Sequence, residues 1–192
     1  MAVFASHCPN IKINIVDINK KRIDAWNSKD PSEFPIFEPG LDELILDYRD
    51  KNLFFTTDLQ NSISEADMIF ISVNTPTKTK GIGAGQASDL KWVEESARQI
   101  ARFSKSHTIV VEKSTLPVKT AETIKNILIS SQDKEGKELK TFSVLSNPEF
   151  LSEGNAIKDL QNPDRVLIGG EDESAIKALS DIYLSWVPEK KY

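Results

Sequence analysis

Residues 11–19 read Ile-Lys-Ile-Asn-Ile-Val-Asp-Ile-Asn. From Lys12 to Val16 the stretch is rich in β-branched residues, which favour extended chain, and it stops at Asp17. Asn19 is a good helix cap, so the segment from Lys20 to about Asn27 is predicted to be a helix. A strand that ends on a carboxylate and turns at once into a helix is the first sign of alternating β and α elements.

The alternation continues outward from this point. A loop carrying Pro31, Pro35 and Pro39 leads to a helix starting near Leu41, and LFFTT at 53–57 reads as a short strand. Asp58 caps a short helix that runs to Glu65. Met68 to Val73 is a continuous apolar run, expected to be a strand covered on both faces. The polar, glycine-rich stretch Asn74 to Ser88 then leads to a helix from Asp89 to about Phe103, where Leu90, Val93, Ala97, Ile100 and Ala101 form one stripe. Thr108 to Val111 is the next strand, and Pro117 fits the first turn of the helix after it. Gln132 to Lys140 reads as a charged surface linker. Phe142 to Leu145 and Arg165 to Ile168 are expected strands, and Asp172 to Tyr183 is an expected helix. The pattern predicts an α/β fold, a Rossmann-like parallel sheet with helices on both faces, in a single domain spanning 1–192.

Bulk properties narrow the function classes. The chain has 192 residues, 39% of them hydrophobic and 28% charged, which suits an ordinary globular protein. Its net charge of -5, without a basic run, gives no electrostatic reason to bind nucleic acid. The single cysteine, Cys8, excludes an internal disulfide and fits a reducing compartment. The two histidines, His7 and His107, cannot build a histidine-rich metal site, so no metal is expected. No apolar run approaches membrane-spanning length, and the opening MAVFASHCPN lacks the pattern of a signal peptide. The expected setting is cytoplasmic, with neither membrane nor nucleic acid as partner.

In open parallel sheets, ligands gather at the carboxyl ends of the strands. Asp17 stands at such an end, where a carboxylate can accept hydrogen bonds from the ribose hydroxyls of a dinucleotide and would repel a 2′-phosphate; capping the following helix is an equally open use. Arg22, on that helix, is placed to lean over an adenine. Val73-Asn74-Thr75-Pro76-Thr77 leaves its strand with short polar side chains, which lets backbone lie against a ligand or simply turn. Gly81, Gly83 and Gly85 mimic a phosphate loop, but their spacing is wrong. Ser114 or Thr115 would cap a helix whose free N–H groups favour polar ligands. Ser146 to Gly154 is the densest cluster: Asn147 as cap, Pro148 in the first turn, Gly154 as terminator. A helix there would put Glu149 and Glu153 on one face, where a raised carboxyl pKa suits general acid/base work; a solvated acidic face is the bland alternative. Cys8 reads as a small buried apolar residue.

IVDIN with Arg22, AWNS, PIFEPGLDEL, KNLFFTTD, ADMIFISVNTPTKT, VVEKSTLPVKTAE, LSNPEFLSEG and NPDRVLIGG together resemble the UDP-glucose/GDP-mannose dehydrogenase family, in its UDP-glucose 6-dehydrogenase branch, from about Cys8 to Pro188. The resemblance implies NAD-dependent, two-step oxidation of UDP-glucose to UDP-glucuronate in a homo-oligomer. It implies that Asp17 and Arg22 serve the adenosine half of NAD, and that Val73, Asn74, Thr75, Pro76 and Thr77 line the cofactor. Ser114 and Thr115 fall near the nicotinamide, with Thr115 at the reaction site. Glu149 matches the acid/base that assists thioester hydrolysis, Glu153 lies between cofactor and substrate, and Phe150, Leu151, Ser152, Glu153 and Gly154 border the sugar nucleotide. It also implies that the family's first strand and glycine-rich loop precede Met1. Its catalytic cysteine, lysine, asparagine and aspartate, its dimerisation helix and its UDP-binding domain would follow Tyr192. The expectation is thus an NAD-binding domain truncated at both ends and inactive alone, or else a non-catalytic subunit that pairs with the full-length enzyme.

Overall fold

In the computed structural model, residues 1–77, 79, 88–114, 120–130 and 140–189 are described. The chain folds as two compact units, Met1–Ser62 with Phe150–Val166 and Leu179–Tyr192, and Ile63–Glu149 with Leu167–Ala178.

The first unit begins with α1 (Ala2–His7), followed by β1 (Ile13–Val16) and α2 (Lys20–Trp26). As expected, Asn19 caps α2, its side chain accepting the N–H of Arg22. A 3-10 turn at Pro31–Glu33 leads to α3 (Leu41–Tyr48) and then β2 (Leu53–Thr56). β1 and β2 pair in parallel, Ile13 opposite Leu53 and Val16 opposite Thr56. A parallel pair needs a long crossover, which α2, the proline loop and α3 supply. Trp26 stacks on Phe55 at 5.5 Å between ring centroids, so the end of α2 lies against β2. The Arg49 guanidinium donates to the carbonyls of Trp26 and Ser28, both at 2.7 Å, and thereby satisfies the frayed end of α2. Asp58 accepts the N–H of Asn61 at 3.1 Å and so caps α4 (Leu59–Ser64) as predicted.

Asn52 ties the entrance of β1 to the end of α1. Its buried amide donates to the carbonyls of Ala5 at 3.0 Å, Cys8 at 3.2 Å and Ile11 at 3.4 Å. These carbonyls lie outside the sheet ladders; Cys8 O also accepts the Ile11 N–H at 3.0 Å, and a buried acceptor left without a donor is costly. Cys8 is buried, its thiol donating to Ile182 O at 3.8 Å and Ser185 Oγ at 3.6 Å.

The second unit is a parallel sheet in the order β3 (Met68–Ile71), β4 (Thr108–Glu112), β5 (Phe142–Ser146). α5 (Lys91–Phe103) and α6 (Thr120–Ser130) pack against each other, and α6 also packs on β5. The stripe expected on α5 is its buried face: Val93, Ala97, Ile100 and Ala101 are all covered. The Lys140 ammonium donates to the carbonyls of Ala101 and Arg102 at 3.1 and 3.0 Å, closing the last turn of α5. α8 (Glu173–Leu184) starts one residue later than expected because Asp172 is its cap, accepting the N–H groups of Ser174 and Ala175. No helix among the described residues is long and apolar enough to cross a membrane.

Three expectations are corrected. The strand covered on both faces is β4, whose Val110 and Val111 are fully buried; β3 ends at Ile71 and keeps Met68, Ile69 and Phe70 partly exposed. Within the described sheet β4 is central and β3 has one strand neighbour, so the middle strand is the covered one. Arg165 to Ile168 does not form a strand: only Gly169 bridges Ser146, antiparallel, because the Asn147 side chain takes the Leu167 carbonyl that a ladder would use. Residues 147–152 are not helical, and the next helix, α7 (Ala156–Gln161), begins after Gly154. The glycine cluster 81–85, Thr115, Pro117 and most of the expected linker at 132–140 lie outside the described residues.

Replacing Asn52 by Ala is expected to remove about 1–3 kcal/mol of stability, the cost of losing a buried amide's hydrogen bonds to the Ala5, Cys8 and Ile11 carbonyls. Urea unfolding checks this; an unchanged midpoint would show that water satisfies the carbonyls equally well.

Candidate functional site

At the end of β1, Asp17 continues the ladder, its N–H donating to Thr56 O at 3.3 Å. Its carboxylate does not cap α2. One oxygen accepts the Asn19 N–H at 2.8 Å and the other meets the Arg22 guanidinium at 3.2 Å. Asn19 does the capping, so the open alternative for Asp17 falls away. A carboxylate offers about four lone-pair positions, and those two bonds leave room for two more donors such as a ribose diol. Arg22 lies on Asp17 in a largely exposed pair, whose net worth is small.

The second unit brings the ends of β3 and β4 together. The Ser114 hydroxyl donates to Val73 O at 3.1 Å, and the Lys113 N–H donates to Ile71 O at 3.1 Å. Asn74, Pro76 and Thr77 are exposed beyond this contact, while Val73 and Thr75 are half-buried. Asp89 donates its N–H to Pro76 O at 2.7 Å, and Thr77 bridges Ser88. The segment is therefore anchored at both ends with polar backbone presented between them. Thr115 lies outside the described residues.

β5 feeds the same strand-end region of this unit. The Asn147 N–H donates to Glu112 O at 2.9 Å, and its side chain, 1% exposed, accepts from Lys113 Nζ at 3.2 Å and donates to Leu167 O at 2.8 Å. Asn147 is thus a brace rather than the expected helix cap, which is why no helix follows. Glu149 cannot share a helical face with Glu153: the two stand on non-helical chain and belong to different units. The Lys113 ammonium is 9% exposed; burial holds its pKa below the ordinary lysine range, and the nearby Glu149 carboxylate opposes that shift. Sequence reasoning gave Lys113, Glu112 and Asn147's bracing amide no role. The signal that was available is a Glu-Lys pair directly on the end of an otherwise apolar strand.

In the first unit, Phe150 to Gly154 forms a loop that ends in a turn. Phe150 is 50% exposed, with the Arg165 guanidinium 4.4 Å from its ring centre. Ser152 donates its N–H to Asp159 at 2.8 Å. Gly154 has φ +83°, a left-handed conformation that glycine adopts without strain, and its N–H donates to Glu38 at 3.0 Å.

Glu112 yields a pH prediction. Burial raises its carboxyl from 4.5 to about 6. A folded-state value above the unfolded one means that ionisation opposes folding: the cost is absent below pH 4.5, grows between the two values and is complete above about 6. Glu112→Gln, which cannot ionise, is expected to be more stable than the parent by about 2 kcal/mol at pH 7, and equal to it near pH 4. Denaturant melts across that range check this; a pH-independent difference would contradict it.

Comparison with known proteins matches this geometry. Residues 1–187 match the family profile described as the UDP-glucose/GDP-mannose dehydrogenase family, NAD binding domain. The chain is 57% identical to UDP-glucose 6-dehydrogenase 1 of Glycine max over 195 aligned positions, covering 100% of this chain and 39% of that protein. It is 56% identical to UDP-glucose 6-dehydrogenase 1 of Arabidopsis thaliana, covering 98% and 38%. The UDP-glucose dehydrogenase structure from Pyrobaculum islandicum superposes with a TM-score of 0.80 at 30% identity, over 99% of this chain and 43% of that one. The GDP-mannose dehydrogenase structure from Pseudomonas aeruginosa gives 0.79 at 30% identity, over 97% and 42%. The chain therefore spans about two fifths of its curated relatives' length. On the parallel sheets, the strand-end residues and the match over 1–187, the chain belongs to the UDP-glucose/GDP-mannose dehydrogenase family, as its NAD binding domain.

Proposed function

We propose that this chain is the cofactor-binding part of a UDP-glucose 6-dehydrogenase, which oxidises UDP-glucose to UDP-glucuronate. The observation that carries the reading is the Ser114–Val73 hydrogen bond, which sets the ends of β3 and β4 side by side with polar chain exposed beyond them. NAD, when bound, supplies the hydride acceptor. Turning a primary alcohol into a carboxylate removes four electrons, so two NAD⁺ are consumed per sugar.

The chain's own residues then divide the work. Asp17 accepts the adenosine ribose hydroxyls, and its negative charge disfavours a 2′-phosphate. Arg22 orients that carboxylate and borders the adenine. Val73, Asn74, Thr75, Pro76 and Thr77 lie along the cofactor. Ser114 and Thr115 serve the nicotinamide end, where Thr115 orients a reacting hydroxyl or water. Glu149 moves a proton at the reaction site, where the Lys113 side chain lies nearby. Glu153 stands between cofactor and sugar, and Phe150 to Gly154 border the sugar nucleotide. The covalent step implied by the family likeness needs a thiolate. Cys8 is the single cysteine of these residues, and its thiol is buried against Ile182 and Ser185.

Two outcomes follow for the 192-residue polypeptide. Titrating the ¹⁵N-labelled chain with NAD is expected to shift the amides of Asp17 to Arg22, Val73 to Thr77 and Ser114, with saturation no tighter than about millimolar. The weakness reflects a sequence without Gly-x-Gly-x-x-Gly to anchor the pyrophosphate. Asp17→Ala should weaken the binding further. Mixing the chain with NAD⁺ and UDP-glucose should give no rise in absorbance at the NADH band. Micromolar binding, shifts confined elsewhere, or measurable turnover would contradict this reading.

A further inference from the structure

We propose that Glu38 is a positioning residue for the Phe150–Gly154 loop, holding its backbone in the conformation that receives the sugar nucleotide. This rests on the reading that the loop borders UDP-glucose, and adds a residue that neither motif spacing nor strand-end logic singles out.

The geometry begins with a tight turn. Leu41 donates its N–H to Glu38 O at 3.0 Å, and Gly40 has φ +80° and ψ 0°. Proline followed by a glycine with these angles makes a type II turn over Glu38-Pro39-Gly40-Leu41. Pro39 and Gly40 therefore fix the direction in which Glu38 leaves the backbone. A Cβ added at Gly40 would come within 3.9 Å of Ile157 Cγ2, so this turn lies close against the start of α7.

Glu38 uses both carboxylate oxygens on the chain entering α7. Oε1 accepts the Gly154 N–H at 3.0 Å, and Oε2 accepts the Ala156 N–H at 3.2 Å. Asn155, at the N-cap position between them, makes no capping bond with its own side chain. A residue more than a hundred positions earlier thus does what a local cap would do, and does it with charge. A local cap would fix only the helix start. Glu38 also grips Gly154, on the loop side of the turn, where the positive φ lets the backbone reverse. With Asp159 holding the Ser152 N–H at 2.8 Å, three N–H groups at 152, 154 and 156 are committed to two carboxylates. Together with the Asn155 N–H bonded to Ser152 O at 3.0 Å, these bonds fix the backbone from Ser152 to the start of α7.

The test uses the ¹⁵N-labelled 192-residue chain, its Glu38→Ala variant and its Glu38→Gln variant. The parent is titrated with UDP-glucose and, separately, with NAD. In Glu38→Ala, amide exchange at Gly154 and Ala156 should speed up at least about tenfold, and the UDP-glucose dissociation constant should rise about tenfold, the scale of losing charge-assisted hydrogen bonds. The NAD-induced shifts at Asp17 to Arg22 should stay as in the parent, which a general loss of structure would not allow. Glu38→Gln keeps one acceptor oxygen at the same length, folds where the alanine variant does not, and should fall between. UDP-glucose binding by either variant equal to the parent's overturns the positioning role. A parent whose 150–154 amides ignore UDP-glucose overturns the substrate reading itself.

Discussion

The strand-end region of the second unit depends on Asn147, which bonds to its neighbours through both its backbone N–H and its side-chain amide. Parallel strands connected by long crossovers all finish at one edge, and there each chain must leave its ladder without stranding its polar groups. Asn147 solves this for two strands at once. Its backbone N–H continues toward β4 through Glu112 O, its Oδ1 holds the Lys113 ammonium, and its Nδ2 satisfies Leu167 O. Because that side chain is spent on bracing, it cannot open a helix, and Pro148 and Glu149 leave the sheet in non-helical chain. The same bond to Leu167 halts the pairing of 165–168 with β5 after one bridge.

Electrostatics at this edge follow from burial. Glu112 and Lys113 are consecutive, both nearly inaccessible, and each is pushed toward its neutral form by loss of solvent. Lysine is rarely buried without a partner, and here Asn147 accepts from it while Glu149 supports its charge. A lysine held at the end of the central strand, near a carboxylate on the following loop, is a costly arrangement. It does little for stability, since buried charges rarely gain more than they lose in hydration.

Much of the fold was legible because local chemistry and global packing agree. The β-branched run before Asp17, the cap at Asn19 and the stripe on α5 each specify their element without help from distant residues. Asp17 and the stretch after β3 stand out in the sequence because strand ends are where ligands gather on such sheets. The errors arose where a side chain reaches across the sequence. Asn147 looks like a cap locally and is a brace in three dimensions. Glu38 lies in a proline-glycine turn whose partner stands over a hundred residues away, so no spacing rule connects them. Arg165 to Ile168 has strand composition, but its carbonyl at Leu167 is already taken. Which strand is covered on both faces depends on strand order, and an apolar run carries no information about order.

The proposed function places NAD at the carboxyl ends of the strands. Intermolecular NOEs between NAD and the ¹⁵N,¹³C-labelled chain test it most directly. NAD bound there gives contacts from the adenosine ribose protons to the amides and methyls around Asp17 and Ile18. The nicotinamide protons then contact the Val73 methyls and Ser114. NOEs that fall instead on the opposite ends of the strands, or on the His7 to Ile11 segment beside α1, would contradict it.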